Sequence, residues 1–181
     1  MLLRGRAVSF DARVDRWVDE RRSPSLDRLM YGLSSAADHG MLWHVVGVAR
    51  AVAHRDPRAA LRFSTALGIE SGITNGLVKS MFRRVRPQEH FEHDDPLPYG
   101  MRRPITSSFP SGHAATAFMC AGVLATRRSA GAWFTLATLV ACSRVYVRMH
   151  HASDVIAGAA LGLALAPVAR RYVARGRTQK R

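Results

Sequence analysis

The stretch SRVYVRMHHASDVIAGAALGLALAPVA, residues 143–169, joins two unlike halves. The first holds Arg144, Arg148, His150, His151 and Asp154. The second, Val155 to Ala169, runs 15 residues without a charge. A helix is predicted from Ser153 to Ala174, with Gly158 and Gly162 on one face, where small side chains let helix backbones approach closely. His150 and Asp154 are four residues apart, one helical turn. A carboxylate so placed can accept from one imidazole nitrogen and leave the other free.

Outward from this stretch the chain repeats the same plan of apolar run and charged flank. Ser9 to Arg22 sets Phe10, Val14, Trp17 and Val18 among charges at helical spacing, the pattern of an amphipathic helix at a membrane surface. Ser23-Pro24 breaks it, and Ser25 can cap a segment from Leu26 to Ala37. Further helical segments are read at Met41–Ala53, Ala59–Met81, Ser111–Thr126 and Ser129–Val147, with a polar stretch from Arg83 to Ser108. The expected fold is therefore all-α: a membrane helical bundle of about six core helices with an N-terminal amphipathic helix. Its divisions would be residues 1–24, the bundle 25–174, and a basic tail 175–181. Cys120 and Cys142 both lie in apolar runs and read as small core residues rather than a disulfide or metal site. No signal peptide is evident at the start.

Hydropathy alone does not make these helices membrane spans, since a span needs about 20 mostly apolar residues. Three patterns favour a membrane. Gly68, Gly72 and Gly76 repeat the four-residue glycine spacing. Arginines flank the apolar runs, where they can snorkel to head groups. The charges also divide: with six crossings starting in the cytoplasm, 19 of the 27 basic residues fall inside, 7 of them before the first crossing, and 8 outside. That topology puts both termini in the cytoplasm. The net charge of +14 would equally suit nucleic acid, but such a protein would carry its cations along one polar face, and here they bracket apolar runs.

The 8 remaining basic residues are clustered. Lys79 ends one helix and Arg86-Pro87 follows. Pro110-Ser111-Gly112-His113 opens the next. Ser143-Arg144 closes the one after, and His150 and Asp154 begin the last. Each piece alone has an ordinary explanation: solvated charges, a helix cap, a structural His/Asp pair. Together they resemble the three-part signature of the type 2 phosphatidic acid phosphatase superfamily: Lys-(six)-Arg-Pro, Pro-Ser-Gly-His and Ser-Arg-(five)-His-(three)-Asp, matched without insertion between Lys79 and Asp154.

The resemblance implies His150 as nucleophile, Asp154 as its partner, and His113 as general acid and later base. It further implies that Lys79, Arg86, Ser111, Gly112 and Arg144 cradle the phosphoryl oxygens. His151 is the neighbouring competitor that the family pattern passes over. No metal or other cofactor is implied, because three cations supply the positive charge. The expected substrate is a lipid phosphate, the expected location a bacterial inner membrane with the site facing outward, and nucleic acid is not an expected partner. Size and Arg/Ala-rich composition, with the segment Asp38-His39-Gly40, also resemble decaprenylphosphoryl-5-phosphoribose phosphatases. Undecaprenyl diphosphate, phosphatidylglycerol phosphate and phosphatidate stay open as substrates. A catalytically silent lipid-phosphate-binding protein and a vanadate-dependent haloperoxidase are the alternatives within the superfamily.

Overall fold

A computed structural model describes residues 2–87 and 106–175. The middle of the polar stretch, Glu92 included, and the tail past Arg175 lie outside the described residues. Seven α-helices are present among those described: α1 (Leu2–Asp19), α2 (Pro24–Ala36), α3 (Met41–Ala53), α4 (Pro57–Ser71), α5 (Gly112–Leu124), α6 (Ala130–Tyr146) and α7 (Ala152–Ala174). A 3₁₀ turn, Asp38–Gly40, joins α2 to α3, and α4 continues as a π-helix through Gly72–Val78. The all-α class is as expected.

Local signals set the boundaries. Ser23, not Ser25, caps α2, accepting from the Leu26 N–H at 3.3 Å. Pro24 then takes the first helical position, where its missing N–H costs nothing. Asp56 and Ser111 cap α4 and α5 in the same way. Gly40 takes a left-handed φ of 72°, which lets the chain turn tightly into α3.

The core is built on α5 and α7. Any Cβ on Gly158 would strike the Ser111 carbonyl, and one on Gly162 the Ala115 carbonyl, so the two backbones touch. Ala114, Ala115 and Ala121 of α5, with Ala166 and Ala169 of α7, continue this small-residue seam. Glycines 68, 72 and 76 behave differently. Nothing lies within 4 Å of a Cβ built on any of them, so they make no helix contact here, and the expected packing face on α4 is absent. All three are exposed, so the glycine face points outward and not at a neighbouring helix.

The outer faces are apolar. Val45, Val48 and Val52 of α3, Leu61 and Ile69 of α4, and Ile156, Leu163 and Val168 of α7 are all exposed, while arginines, histidines and carboxylates are buried between the helices. One described helix, α7, is long and apolar enough to cross a membrane by length and composition. The α3 and α5 helices, at 13 residues each, are shorter than the usual span. Cys120 is buried as expected, but Cys142 is exposed on α6.

The N-terminal helices depart most from expectation. Both ends of α2 meet the last turn of α6: the Tyr146 hydroxyl donates to Asp27 at 2.7 Å, and Arg144 reaches Ser34. A helix tied at both ends to one level of the bundle does not run its length. The apolar face of α1 (Phe10, Val14, Val18) packs with Met30, Tyr31, Tyr146 and Met149 rather than on a bilayer, although Trp17 stays exposed. Both α1 and α2 thus lie at the end of the bundle that carries the motifs. Arg13, Arg16, Arg21, Arg22 and Arg28 go there with them, and among the described residues the opposite end keeps nine basic residues. The 19-to-8 division, and with it the argument that both termini share a side, does not survive this placement.

The two glycine environments predict opposite responses to one methyl group. Gly162→Ala should lower the unfolding midpoint in detergent, by the equivalent of roughly 1–3 kcal/mol, because backbone on α5 must move. Gly68→Ala should raise it by about 0.5–1 kcal/mol through helix propensity. A thermal melt of each variant checks both signs.

Candidate active site

Three connections converge on one end of the bundle. The segment after α4 brings Lys79 and Arg86, the α5 start brings Ser111 to His113, and the α6–α7 turn brings Arg144, His150 and Asp154. Ser111 ties two of them together by donating its backbone N–H to the Asp154 carbonyl at 3.0 Å. All eight residues singled out by the sequence are found there.

His150 is 2 % exposed. Its Nδ1 lies 2.7 Å from the Ser108 carbonyl. A carbonyl can only accept, so Nδ1 carries the proton and the lone pair of the neutral ring sits on Nε2. Nε2 is 3.4 Å from a terminal nitrogen of Arg86. Asp154, the expected acceptor for this ring, stands at 3.7 Å from Nδ1 and acts on it by charge more than by hydrogen bond. Its carboxylate is otherwise engaged: Oδ2 accepts the His151 N–H at 2.9 Å, capping α7, and Oδ1 accepts from Arg84 at 2.6 Å. His151 caps α7 and points Nε2 at the Val85 carbonyl, 3.2 Å away, so it does not compete for the His150 position.

The cations are held mostly by main-chain and hydroxyl oxygens, with Asp38 the carboxylate beside Arg144. Arg86 is fixed by main-chain carbonyls of Met149, Thr106 and Ser107, and its Nε is buried without a partner. Arg144 touches Ser34, lies 3.7 Å from Asp38, and also has an unpartnered Nε. Lys79 is buried near enough to both arginines for mutual repulsion. Burial pushes the Arg86 guanidinium down to about 10, still charged at neutral pH. Burial, and then the charges of Arg144, Arg86 and Lys79, hold His150 down at about 3 despite Asp154. The imidazole is therefore neutral, and nucleophilic, across the physiological range. Buried positive charge with free donors is a site for a multivalent oxyanion.

Two participants were not assigned roles from sequence. Asp38, noticed only as part of a tripeptide, places Oδ1 at 2.9 Å from His113 Nε2. Its position in the 3₁₀ turn, 75 residues away in sequence, gave no signal of this pairing. Asn75 packs on Gly112: a Cβ there would meet its side-chain oxygen at 2.6 Å, which accounts for glycine in the motif. A cavity of about 240 Å³ lies at the opposite end of the bundle, lined by Arg50, His54, Phe63 and Arg170 among others, and touches none of the candidate residues.

A chain with this arrangement matches the PAP2 superfamily model over residues 59–177 and belongs to that superfamily. It is similar to the lipid A 1-phosphatase of Rhizobium etli, 40 % identical over 101 residues, which is 51 % of this chain and 41 % of that protein. The lipid A 1-phosphatase of Porphyromonas gingivalis is 39 % identical over 74 residues, 36 % of this chain and 17 % of the other. The chain thus spans less than half the length of these curated relatives. Among solved structures it is similar in fold to a transmembrane PAP2 type phosphatidylglycerolphosphate phosphatase from Bacillus subtilis (TM-score 0.71, 24 % identity, 95 % of this chain and 86 % of the other). The Aquifex aeolicus LpxE structure gives a TM-score of 0.69 at 24 % identity, over 89 % and 94 % of the two chains.

The Asp38 pairing has a kinetic consequence if His113 moves protons. Asp38→Asn removes the charge that favours the protonated ring, and kcat should fall roughly tenfold to a hundredfold with little change in KM. Steady-state kinetics of the variant check this.

Proposed function

We propose that the protein is a membrane lipid phosphatase that hydrolyses a phosphate ester or diphosphate of a lipid through a phosphohistidine at His150, without a metal. The observation that carries the mechanism is the His150 Nδ1 contact with the Ser108 carbonyl, which leaves Nε2 as an unprotonated nucleophile among three cations. Nε2 attacks phosphorus as the bond to the leaving oxygen breaks, and His113 gives that oxygen its proton. Lys79, Arg86, Arg144, the Ser111 hydroxyl and the Gly112 N–H hold the phosphoryl oxygens. The ring becomes cationic, and Asp154 and the Ser108 carbonyl stabilise it. Water activated by His113 then releases phosphate. The three cations supply the charge that a metal supplies elsewhere and would repel one, which supports metal independence.

The lipid part of the reading rests on the exposed apolar faces of α3, α4 and α7 and on relatives named for lipid A. These faces also weigh against a nucleic-acid-binding role. Polyprenyl-linked phosphates, including decaprenylphosphoryl-5-phosphoribose, offer the same phosphate on an apolar anchor and belong in the same substrate class. A lipid tail cannot leave the bilayer cheaply, so the substrate enters between helices. We further place the site at the extracytoplasmic face. Charge bias does not argue for this face, because among the described side chains the motif end carries 11 basic residues once α1 and α2 are counted there and the opposite end 9. The labelling experiment below decides it.

Detergent-purified protein should release phosphate from a panel of lipid phosphates with EDTA present. Labelled phosphate trapped on denatured enzyme should map to His150, and His150→Ala should abolish turnover in a folded protein. Label on His113 or His151, or complete loss in EDTA restored by magnesium, would reject the mechanism. Asp154→Asn should lose turnover heavily with a modest change in KM.

Orientation is checked separately. In a Cys142→Ser background, a cysteine replacing the exposed Trp17 should react with an impermeant thiol reagent in intact cells. A reporter fused after Arg181 should read as cytoplasmic. Protection of that cysteine until lysis would reverse the orientation and leave the chemistry standing.

A further inference from the structure

The N-terminal helix carries none of the family motifs, yet it reaches the catalytic end with three carboxylates. Asp11, Asp15 and Asp19 recur every four residues and share one face of α1. Asp15 and Asp19 both pair with Arg148, a buried residue of the α6–α7 turn. Asp11 makes a different set of contacts. Its Oδ1 accepts the Ser153 backbone N–H at 2.9 Å, and its Oδ2 accepts the Ser153 hydroxyl at 2.7 Å. The same Oδ2 accepts from one terminal nitrogen of Arg84 at 2.6 Å. The other terminal nitrogen of Arg84 donates to Asp154 at 2.6 Å and to the Ser153 hydroxyl at 2.7 Å. Asp11 is 3 % exposed and Asp154 is fully buried, so water screens the two ends of this chain little, while the Arg84 side chain between them is 28 % exposed.

We propose that Asp11 is a positioning residue for the chemistry at His150, acting through Arg84 to preserve the negative charge of Asp154 and through Ser153 to hold the first turn of α7. The inference rests on the phosphatase reading above. Arg84 paired with Asp154 alone would form a neutral couple, whose field at the imidazole falls off steeply. With Asp11 on the far side of Arg84, the three groups carry one net negative charge. That charge is needed at one moment. When Nε2 bonds to phosphorus and the leaving oxygen takes its proton from His113, the ring turns cationic beside Lys79, Arg86 and Arg144. Asp154 is the carboxylate nearest to the ring, at 3.7 Å, and its worth there depends on how far Arg84 cancels it. Asp11 neither gains nor loses a proton in the cycle. The pairs at Arg148 dock the same helix without touching Asp154, so Asp15 and Asp19 report on docking apart from the charge at Asp154.

The test uses the full chain in detergent, with phosphatidate as substrate and labelled phosphate trapped on the enzyme. Asp11→Asn should lower kcat roughly tenfold to a hundredfold and slow phosphoenzyme formation alike, with KM moving less than about twofold. Asp11→Glu, which restores the charge, should recover most of the rate. Asp15→Asn should lower the melting temperature yet keep kcat within about twofold, because it touches docking alone. Wild-type kcat in Asp11→Asn, or an equal fall of kcat in Asp11→Asn and Asp15→Asn, would overturn the inference while the phosphatase reading stands. So would a folded Asp11→Glu whose kcat is cut tenfold or more, a comparison that decides the matter even where Asp11→Asn does not fold. A folded wild type that released phosphate from none of the panel lipids would overturn both. On a wild type that refuses phosphatidate, the variants are compared with the panel lipid it does hydrolyse.

Discussion

Backbone contact between α5 and α7 is the constraint on which the rest of the structure depends. Gly158 and Gly162 let α7 lie directly on the carbonyls of Ser111 and Ala115. At the end of that seam the Ser111 N–H meets the Asp154 carbonyl. The start of α5 and the start of α7 are thereby locked together, and with them His113 and His150, 37 positions apart in sequence. Side chains larger than methyl along the seam would separate the helices and the histidines together. The remaining helices wrap this pair, bringing Lys79 and Arg144 in from either side.

The site so formed is a buried positive cluster, and its electrostatics follow from how each cation is held. Main-chain carbonyls fix Arg86 without cancelling its charge. The carboxylates near the site are spent elsewhere: Asp154 on Arg84 and the α7 cap, Asp38 on His113. An oxyanion entering there would meet donors that have lost their water, with Asp38, 3.7 Å from Arg144, as a partial counter-charge. Burial first, and then the charges of these same cations, keep His150 neutral.

Much of this was legible in the chain. His150, Asp154 and the Pro-Ser-Gly-His turn are ordered motifs whose spacing survives folding, because each lies within one turn or one helix end. The helices were legible from their apolar runs and caps. What escaped were the contacts made across sequence: Asp38 with His113, Asn75 against Gly112, and Arg84 with both Asp11 and Asp154. The placement of α1 and α2 escaped for a related reason. An amphipathic pattern says that a helix has one apolar face, not whether lipid or protein covers it. Gly68, Gly72 and Gly76 misled for the same reason: a four-residue spacing says which positions share a face, not whether another helix covers it.

Asp154 serves two ends with one carboxylate: it caps α7 through the His151 N–H and supplies charge beside His150. Natural selection therefore cannot tune them apart. A change that removes the acceptor altogether also unseats the first turn of the helix that forms the core, so such alleles lose the cap and the charge beside His150 together. Asparagine, which keeps an acceptor of the same shape, is the substitution by which the two debts can be told apart.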